Sequence, residues 1–157
     1  MSRTTRATEA LARTGIAFTV HTYEYDPDAD RVGLQAAAAL AEDPRRVLKT
    51  LMAEVDGEPV CVIVPADREV SMKKLAAAFG GKTATMMKPA DAERLSGYHV
   101  GGISPFGQKR TVPVALEQAA LAETLVYING GQRGLQVRLD PKDALRALQA
   151  IARPLIA

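Results

Sequence analysis

The sequence predicts an α+β fold: one mixed α/β domain over residues 1-157, in which a largely antiparallel sheet forms a barrel-like core with surrounding helices. Three observations carry this expectation. Apolar alternation at Ile16, Phe18 and Val20, and a hairpin centred on Asp56-Gly57, mark strands of antiparallel type. Helical segments stand singly between the strands, so the strict β-α-β alternation of a doubly wound fold is missing. With 157 residues, 47% of them hydrophobic, the chain has the length of one ordinary domain and can take about two-thirds of its unfolded surface out of water.

Taken in order, Thr4 to Thr14 carries Ala7, Ala10 and Leu11 at helical spacing, with Gly15 as its stop. The strand that follows puts His21 and Tyr23 on the face opposite Ile16, Phe18 and Val20. An acidic loop, Glu24 to Arg31, leads to an Ala-rich helix from about Gly33 to Ala41, which Pro44 closes while opening another turn. The hairpin spans Arg46 to Val64, and its second strand, Val60 to Val64, is apolar on both faces and therefore central. Ser71 caps a helix to Phe79, stopped by Gly80-Gly81. Thr83 to Met87 reads as a weak strand, and Pro89 starts a short helix ending near Gly97. After the glycine-rich loop Gly101 to Gly107, strands are expected at Thr111 to Leu116 (interrupted by Pro113), Thr124 to Asn129 and Leu135 to Leu139. Asp140, Pro141 and Asp143 open a final helix running to about Ala152.

Charge and cysteine usage exclude several classes. Twenty Lys and Arg against 18 acids give a net charge of +2, too mild to announce nucleic-acid binding by bulk charge. The longest apolar run, Pro59 to Ala66, is far too short for a bilayer, and the first turns lack a signal-peptide core, so no membrane contact and a cytoplasmic location are expected. One cysteine excludes an internal disulfide framework. His21, His99 and Cys61 are scattered without zinc-ligand spacing, so no metal site is expected. Asp26, Asp28 and Asp30 imitate an EF-hand opening, but Arg31 stands where glycine is needed and Ala37 where the bidentate glutamate belongs. Neither a phosphate-loop nor a dinucleotide fingerprint is present.

What remains is a pair of glycine-rich loops and one lysine. Gly101 to Gly107 and Gly130 to Gly134 are either tight turns or places where main-chain N–H groups converge on an anion. Lys49 sits among Val47, Leu48, Leu51 and Met52; its ammonium either snorkels to solvent or lies at a cleft, where it can hold a phosphate or carboxylate.

Three segments together resemble a known family. Arg46-Val47-Leu48-Lys49-Thr50-Leu51, Gly101-Gly102-Ile103-Ser104-Pro105-Phe106-Gly107-Gln108-Lys109 and Asn129-Gly130-Gly131-Gln132-Arg133-Gly134-Leu135 occur in the order and spacing of the YbaK/EbsC proteins, and His21-Thr22-Tyr23-Glu24 fits that family's early strand. The resemblance implies a free-standing cysteinyl-tRNA(Pro) deacylase related to the editing domain of bacterial prolyl-tRNA synthetases. Proline and cysteine are similar in size and a pocket separates them weakly, so a second enzyme clears the error in trans.

By the same resemblance Lys49, Gly101 and Gly102 are the candidate catalytic residues, with the amides near Gly101 and Gly102 as oxyanion donors. Tyr23, Thr50, Ile103, Ser104, Pro105, Phe106, Asn129, Gly130, Gly131 and Arg133 are the candidate substrate-binding residues. Such an enzyme needs no cofactor: the substrate's cysteine thiol attacks its own ester, or an activated water does so. The expected partners are the acceptor end of tRNA(Pro) and prolyl-tRNA synthetase, and the expected state is a monomer. Some relatives carry an aspartate where this chain has Gln136, which leaves alanine and other small amino acids open as substrates. A non-catalytic tRNA-binding module using Lys73, Lys74, Lys82, Lys88 and Arg133 is the competing reading.

Overall fold

The computed structural model describes residues 3–28 and 32–157, with Val32 and Gly33 described by backbone alone. Asp30 and Arg31 of the acidic loop lie outside the described residues.

Local signals place most elements. Helix α1 (Arg6–Thr14) begins with a reciprocal cap, in which the Thr5 hydroxyl accepts from Thr8 N and the Thr8 hydroxyl accepts from Thr5 N at 2.8 Å. It ends at Gly15, whose φ of 77° a side chain would oppose. Strand β1 (Thr19–Thr22) starts later than the alternation suggested, yet Ile16, Phe18 and Val20 still pack against one core cluster while Tyr23 joins another. Helix α2 (Val32–Ala39) and a 3-10 turn at Pro44–Arg46 lead into β2 (Val47–Val55). Asp56 and Gly57, at φ 50° and 82°, turn the chain into β3 (Glu58–Pro65). Helix α3 (Met72–Ala78) is capped by Ser71, β4 (Ala84–Met86) is short, and α4 (Pro89–Ser96) stops at Gly97.

The last third holds two departures. Strand β5 (Val114–Glu117) starts only after Pro113, which lacks the N–H a ladder needs, and a 3-10 turn at Gln118–Ala122 follows it. Strands β6 (Val126–Gln132) and β7 (Leu135–Leu139) form the second hairpin. Helix α5 (Pro141–Leu148) ends well before Ala152, because Gln149 adopts φ 50° and the chain then becomes β8 (Ile151–Arg153).

The sheet order is β1-β7-β6-β2-β3-β5-β8, with β4 also on β2. The ladders β1–β7, β6–β7, β2–β3 and β2–β4 are antiparallel; β2–β6, β3–β5 and β5–β8 are parallel. The sheet is therefore mixed, and its pairing is open, with β1 and β8 at opposite ends and no ladder closing a barrel among the described residues. Cys61 to Val64 in β3 are fully buried, as an apolar central strand requires. Each buried Val or Ile side chain there contributes roughly 1.5–3 kcal/mol. One face packs Leu48, Met52, Ile63 and Ile128 against α1 and α5, and the other is shared by a cluster around Val62 and Leu75 and one around Tyr23 and Tyr127.

One irregularity positions the site. On its β6 side β2 is paired only at Val47 and Leu48, and β4 joins that side at Ala53. Between them the strand edge stands open, while β3 stays paired throughout. Met52 O accepts from Met87 N at 3.1 Å on this open side, and main-chain direction alternates along a strand, so Thr50 also presents its N–H and C=O to the opening.

Candidate functional site

A cavity of about 420 Å³ occupies the place where β6 and β2 part. Its floor is β2 from Val47 to Met52, and its wall on the other side carries Asn129 of β6 and Gln136 of β7. These two residues face each other across the hairpin ladder, so both side chains leave the sheet on one face. Met86 at the end of β4 and Met87 just after it, with Pro89 and Ala92 of α4, form an apolar side. Val100, Gly101 and Ile103 complete the enclosure.

The two glycine loops interlock beside the cavity. Asn129 Nδ2 donates to the Gly101 carbonyl at 3.2 Å, and its Oδ1 accepts from Gly131 N at 2.7 Å. Arg133 Nε donates to the Val100 carbonyl at 2.9 Å, while its guanidinium lies over the Tyr25 ring at 5.6 Å from the centroid. At Gly102 the backbones approach so closely that a Cβ would meet Arg133 N at 2.9 Å. Gly131, at φ 93°, lies against Tyr98, whose ring a Cβ would approach to 2.8 Å. Both glycines are required by this contact and not merely tolerated.

Of the residues singled out from the sequence, Lys49, Thr50, Gly101, Ile103 and Asn129 line this one cavity. Gly102, Ser104, Pro105 and Phe106 are not part of its wall: Ser104 and Phe106 are buried in the loop's base, where the Ser104 hydroxyl accepts from Phe106 N. The Gly102 N–H already donates to the His99 carbonyl at 2.8 Å, so the oxyanion donor expected there is engaged in a turn. Among the described residues no acceptor takes the Gly101 N–H. Gly130 and Gly131 shape the irregular β6–β7 ladder, and Arg133 is an exposed clasp over the first loop. Tyr23 is buried in the neighbouring cluster with Val47 and Ala66, both of which reach the cavity. The methionine and α4 side was not foreseen. Its only sequence signal is the adjacent pair Met86-Met87 in a weak strand, with Met86 46% exposed.

Electrostatically the cavity is simple. Lys49, its side chain 20% exposed, is the one ionisable residue among the described lining residues, and its Nζ lies 3.7 Å from the carboxylate of Glu69, itself 75% exposed. Burial raises the Tyr23 phenol above its ordinary range. Glu93 accepts from Val100 N at 2.8 Å, which holds its carboxyl below the usual range and ties α4 to the start of the first glycine loop. Cys61 lies elsewhere, fully buried in β3, and burial pushes its thiol up to about 12.

Fold and site together define a mixed α/β protein with a cavity in which, among the described lining residues, one lysine stands among uncharged neighbours. The chain belongs to the aminoacyl-tRNA editing domain family, whose model matches residues 26–147. It is 33% identical over 125 residues to EbsC of Enterococcus faecalis, a candidate Cys-tRNA(Pro)/Cys-tRNA(Cys) deacylase, covering 78% of this chain and 76% of that one. It is 24% identical over 140 residues to the multifunctional Ser/Thr-tRNA deacylase ProXp-y of Escherichia coli, covering 88% and 84%. Among solved structures, a candidate trans-editing enzyme for prolyl-tRNA synthetase superposes with a TM-score of 0.82 at 22% identity, over 97% of this chain and 95% of that one, and shares the fold.

Proposed function

We propose that this chain is a trans-editing deacylase acting on cysteinyl-tRNA(Pro), with the substrate's thiol as the nucleophile. The observation that carries this reading is the make-up of the cavity wall. Among its described lining residues there is no histidine, cysteine, aspartate or glutamate, so those residues offer no general base to activate a nucleophile. The cysteinyl group brings its own. Its sulfur attacks the ester carbonyl carbon, the bond to the ribose oxygen breaks, and the thiol proton passes to that oxygen, giving a cyclic thiolactone and free tRNA. The protein contributes orientation and preorganised donors. Negative charge developing on the carbonyl oxygen is received by main-chain N–H groups at the cavity, for which Gly101 and Thr50 are the available sources. Lys49 exchanges Glu69 for a phosphate of the terminal nucleotide and holds that end in register. Prolyl-tRNA synthetase is the proposed partner that supplies selectivity for the tRNA body, and the protein acts as a monomer in the cytoplasm.

The ProXp-y likeness favours one second reading, a water-mediated deacylase for seryl or threonyl esters. Purified protein incubated with cysteinyl-, seryl- and alanyl-tRNA(Pro) separates the two. Rapid loss of the cysteinyl ester alone, with thiolactone as product, supports the thiol reading. Equal cleavage of the seryl ester removes it, and intact esters throughout remove the enzyme assignment to tRNA(Pro). Lys49→Ala in parallel tests the site.

A further inference from the structure

Outside the cavity, one patch of the sheet gathers positive charge without a counter-ion. Strand β7 pairs Arg138 with Thr19 of β1 and Tyr127 of β6, and pairs Gln136 with His21 and Asn129. Residues directly opposite in a ladder share a face, so His21, Tyr127 and Arg138 stand on the side of the sheet that carries Asn129 and Gln136. The Arg138 guanidinium lies over the Tyr127 ring, 5.7 Å from its centroid, and the His21 ring meets the same ring edge-on at 5.3 Å. The ring fixes the direction of the guanidinium but does not neutralise it. Arg138 Nε is buried without a hydrogen-bond partner, and among the described residues no carboxylate or carbonyl takes any N–H of that side chain.

The surroundings of Arg138 sharpen this. Strands β1, β6 and β7 contain no Asp or Glu. Beside Arg138 and Tyr127 opens a second cavity, of about 540 Å³, whose two carboxylates, Glu42 and Glu123, are both bound by Arg46, at 3.2 and 2.8 Å. Arg138 is the uncompensated charge of that opening. At the sheet edge Arg3 donates to the Val20 carbonyl of β1, and His21 Nε2 meets the Thr19 hydroxyl at 2.7 Å, leaving its Nδ1 without a partner among the described residues. Burial and the charges of Arg138 and Arg3 hold His21 below its usual range, so the three groups interact. An unpaired guanidinium beside a second cation and an imidazole is complementary to a phosphate, whose oxygens match the planar fork. We propose that Arg138, with His21 and Arg3 beside it, binds a backbone phosphate of the tRNA, at a site separate from the cavity and from Lys49. This rests on reading the chain as acting on tRNA with the acceptor end in the cavity. Arg138 stands two residues along β7 from Gln136 on the cavity wall, roughly 7 Å, so a strand whose 3′ end lies in the cavity can set an upstream phosphate here.

Two measurements test this, and neither depends on turnover. The chain has two histidines, so the His21 ring signals are followed against pH by nuclear magnetic resonance, with His21→Asn to assign them. In inorganic phosphate, compared with chloride of equal ionic strength, the His21 midpoint should rise in wild type and stay put in Arg138→Met. Deacylated tRNA(Pro) is then bound to wild type, Arg138→Met and Arg138→Lys across a salt series. Arg138→Met should weaken binding at least about tenfold, the worth of a hydrogen bond to a charged group, and lower the slope of log affinity against log salt by about one. Arg138→Lys, which keeps the charge, should restore that slope. An unmoved His21 midpoint in wild type overturns the proposal without requiring any variant to fold. A folded Arg138→Met that binds tRNA with wild-type affinity and slope overturns it as well, even where inorganic phosphate moves His21. Arg138-dependent tRNA binding in a protein that leaves cysteinyl-tRNA(Pro) intact overturns the proposed turnover alone. Cleavage of that substrate with no such dependence overturns the phosphate site alone.

Discussion

Adding one methyl group at Gly102 tests whether the two glycine loops act as a unit. A Cβ there would sit 2.9 Å from Arg133 N, 3.0 Å from the Gln132 carbonyl carbon and 3.2 Å from Gln132 Cα. All three are main-chain atoms, so no rotamer change relieves the clash, and ordinary contact begins at 3.4 Å. The loops must separate by about half an ångström, and overpacking of this kind costs about 1–3 kcal/mol. For a chain of this size that lowers Tm by roughly 3–10 °C. Gly101 moves with Gly102, and its N–H and carbonyl lie at the cavity, the carbonyl held by Asn129. Misplacement by 1 Å can cost a hundredfold in rate, so half that distance predicts about a tenfold fall in kcat/KM on cysteinyl-tRNA(Pro). Thermal melting and steady-state deacylation of Gly102→Ala measure the two effects. A variant within 1 °C of wild type and equally active would refute the claim that this backbone contact positions the site.

Other expectations follow from single residues. Lys49→Met should raise KM for cysteinyl-tRNA(Pro) at least tenfold yet change stability by about 1 kcal/mol or less, because its partner Glu69 is largely solvated; Lys49→Arg should retain partial binding, and a large loss of Tm would show a structural role instead. Cys61, buried and with its thiol pushed up to about 12, should resist a disulfide reagent at pH 8 until the protein is unfolded, and alkylating agents should leave turnover unaffected; labelling of native protein would contradict this. Tyr98 donates its hydroxyl to the Phe106 carbonyl, and burial pushes its phenol up to about 12 from an unfolded value of 10. Its raised value means the stability it contributes is complete below pH 10 and lost as pH rises toward 12. Alkaline unfolding of Tyr98→Phe should therefore begin at higher pH than wild type, which parallel pH melts would reveal.

Most elements were legible because their signals are local. Thr5, Ser71 and Asp140 cap helices, Gly15 and Gly97 end them, and Asp56-Gly57 turns the first hairpin, each through a bond or dihedral set within a few residues. Strand β8 was not legible: it pairs with β5, more than thirty residues earlier, and the helix before it ends at Gln149 in a left-handed conformation with no glycine to announce it. The three parallel ladders escaped notice for the same reason, since non-adjacent pairing leaves no turn signature. At the site, Lys49 stood out by its charge and Gly101 by its glycine-rich loop, whereas Thr50, Ile103 and Asn129 were picked out through the family resemblance. Met86, Met87 and Ala92 could not, because an apolar residue facing a cavity reads like one facing the core until the chain closes over it. Gln136 was noticed only as a departure from relatives, and its place on the cavity wall follows from the β6–β7 ladder, which no linear pattern displays.

The parting of β2 from β6 also supplies a built-in spectroscopic reporter. Lys49 to Met52 remain zipped to β3, yet the Thr50 amide points away from that partner into the opening. In the empty protein this proton should trade with deuterium far faster than the amides that close the β2–β3 ladder. A guest whose carbonyl takes up the hydrogen bond should slow it selectively, so one residue's isotope exchange, read by nuclear magnetic resonance, would register occupancy even for compounds that are never cleaved.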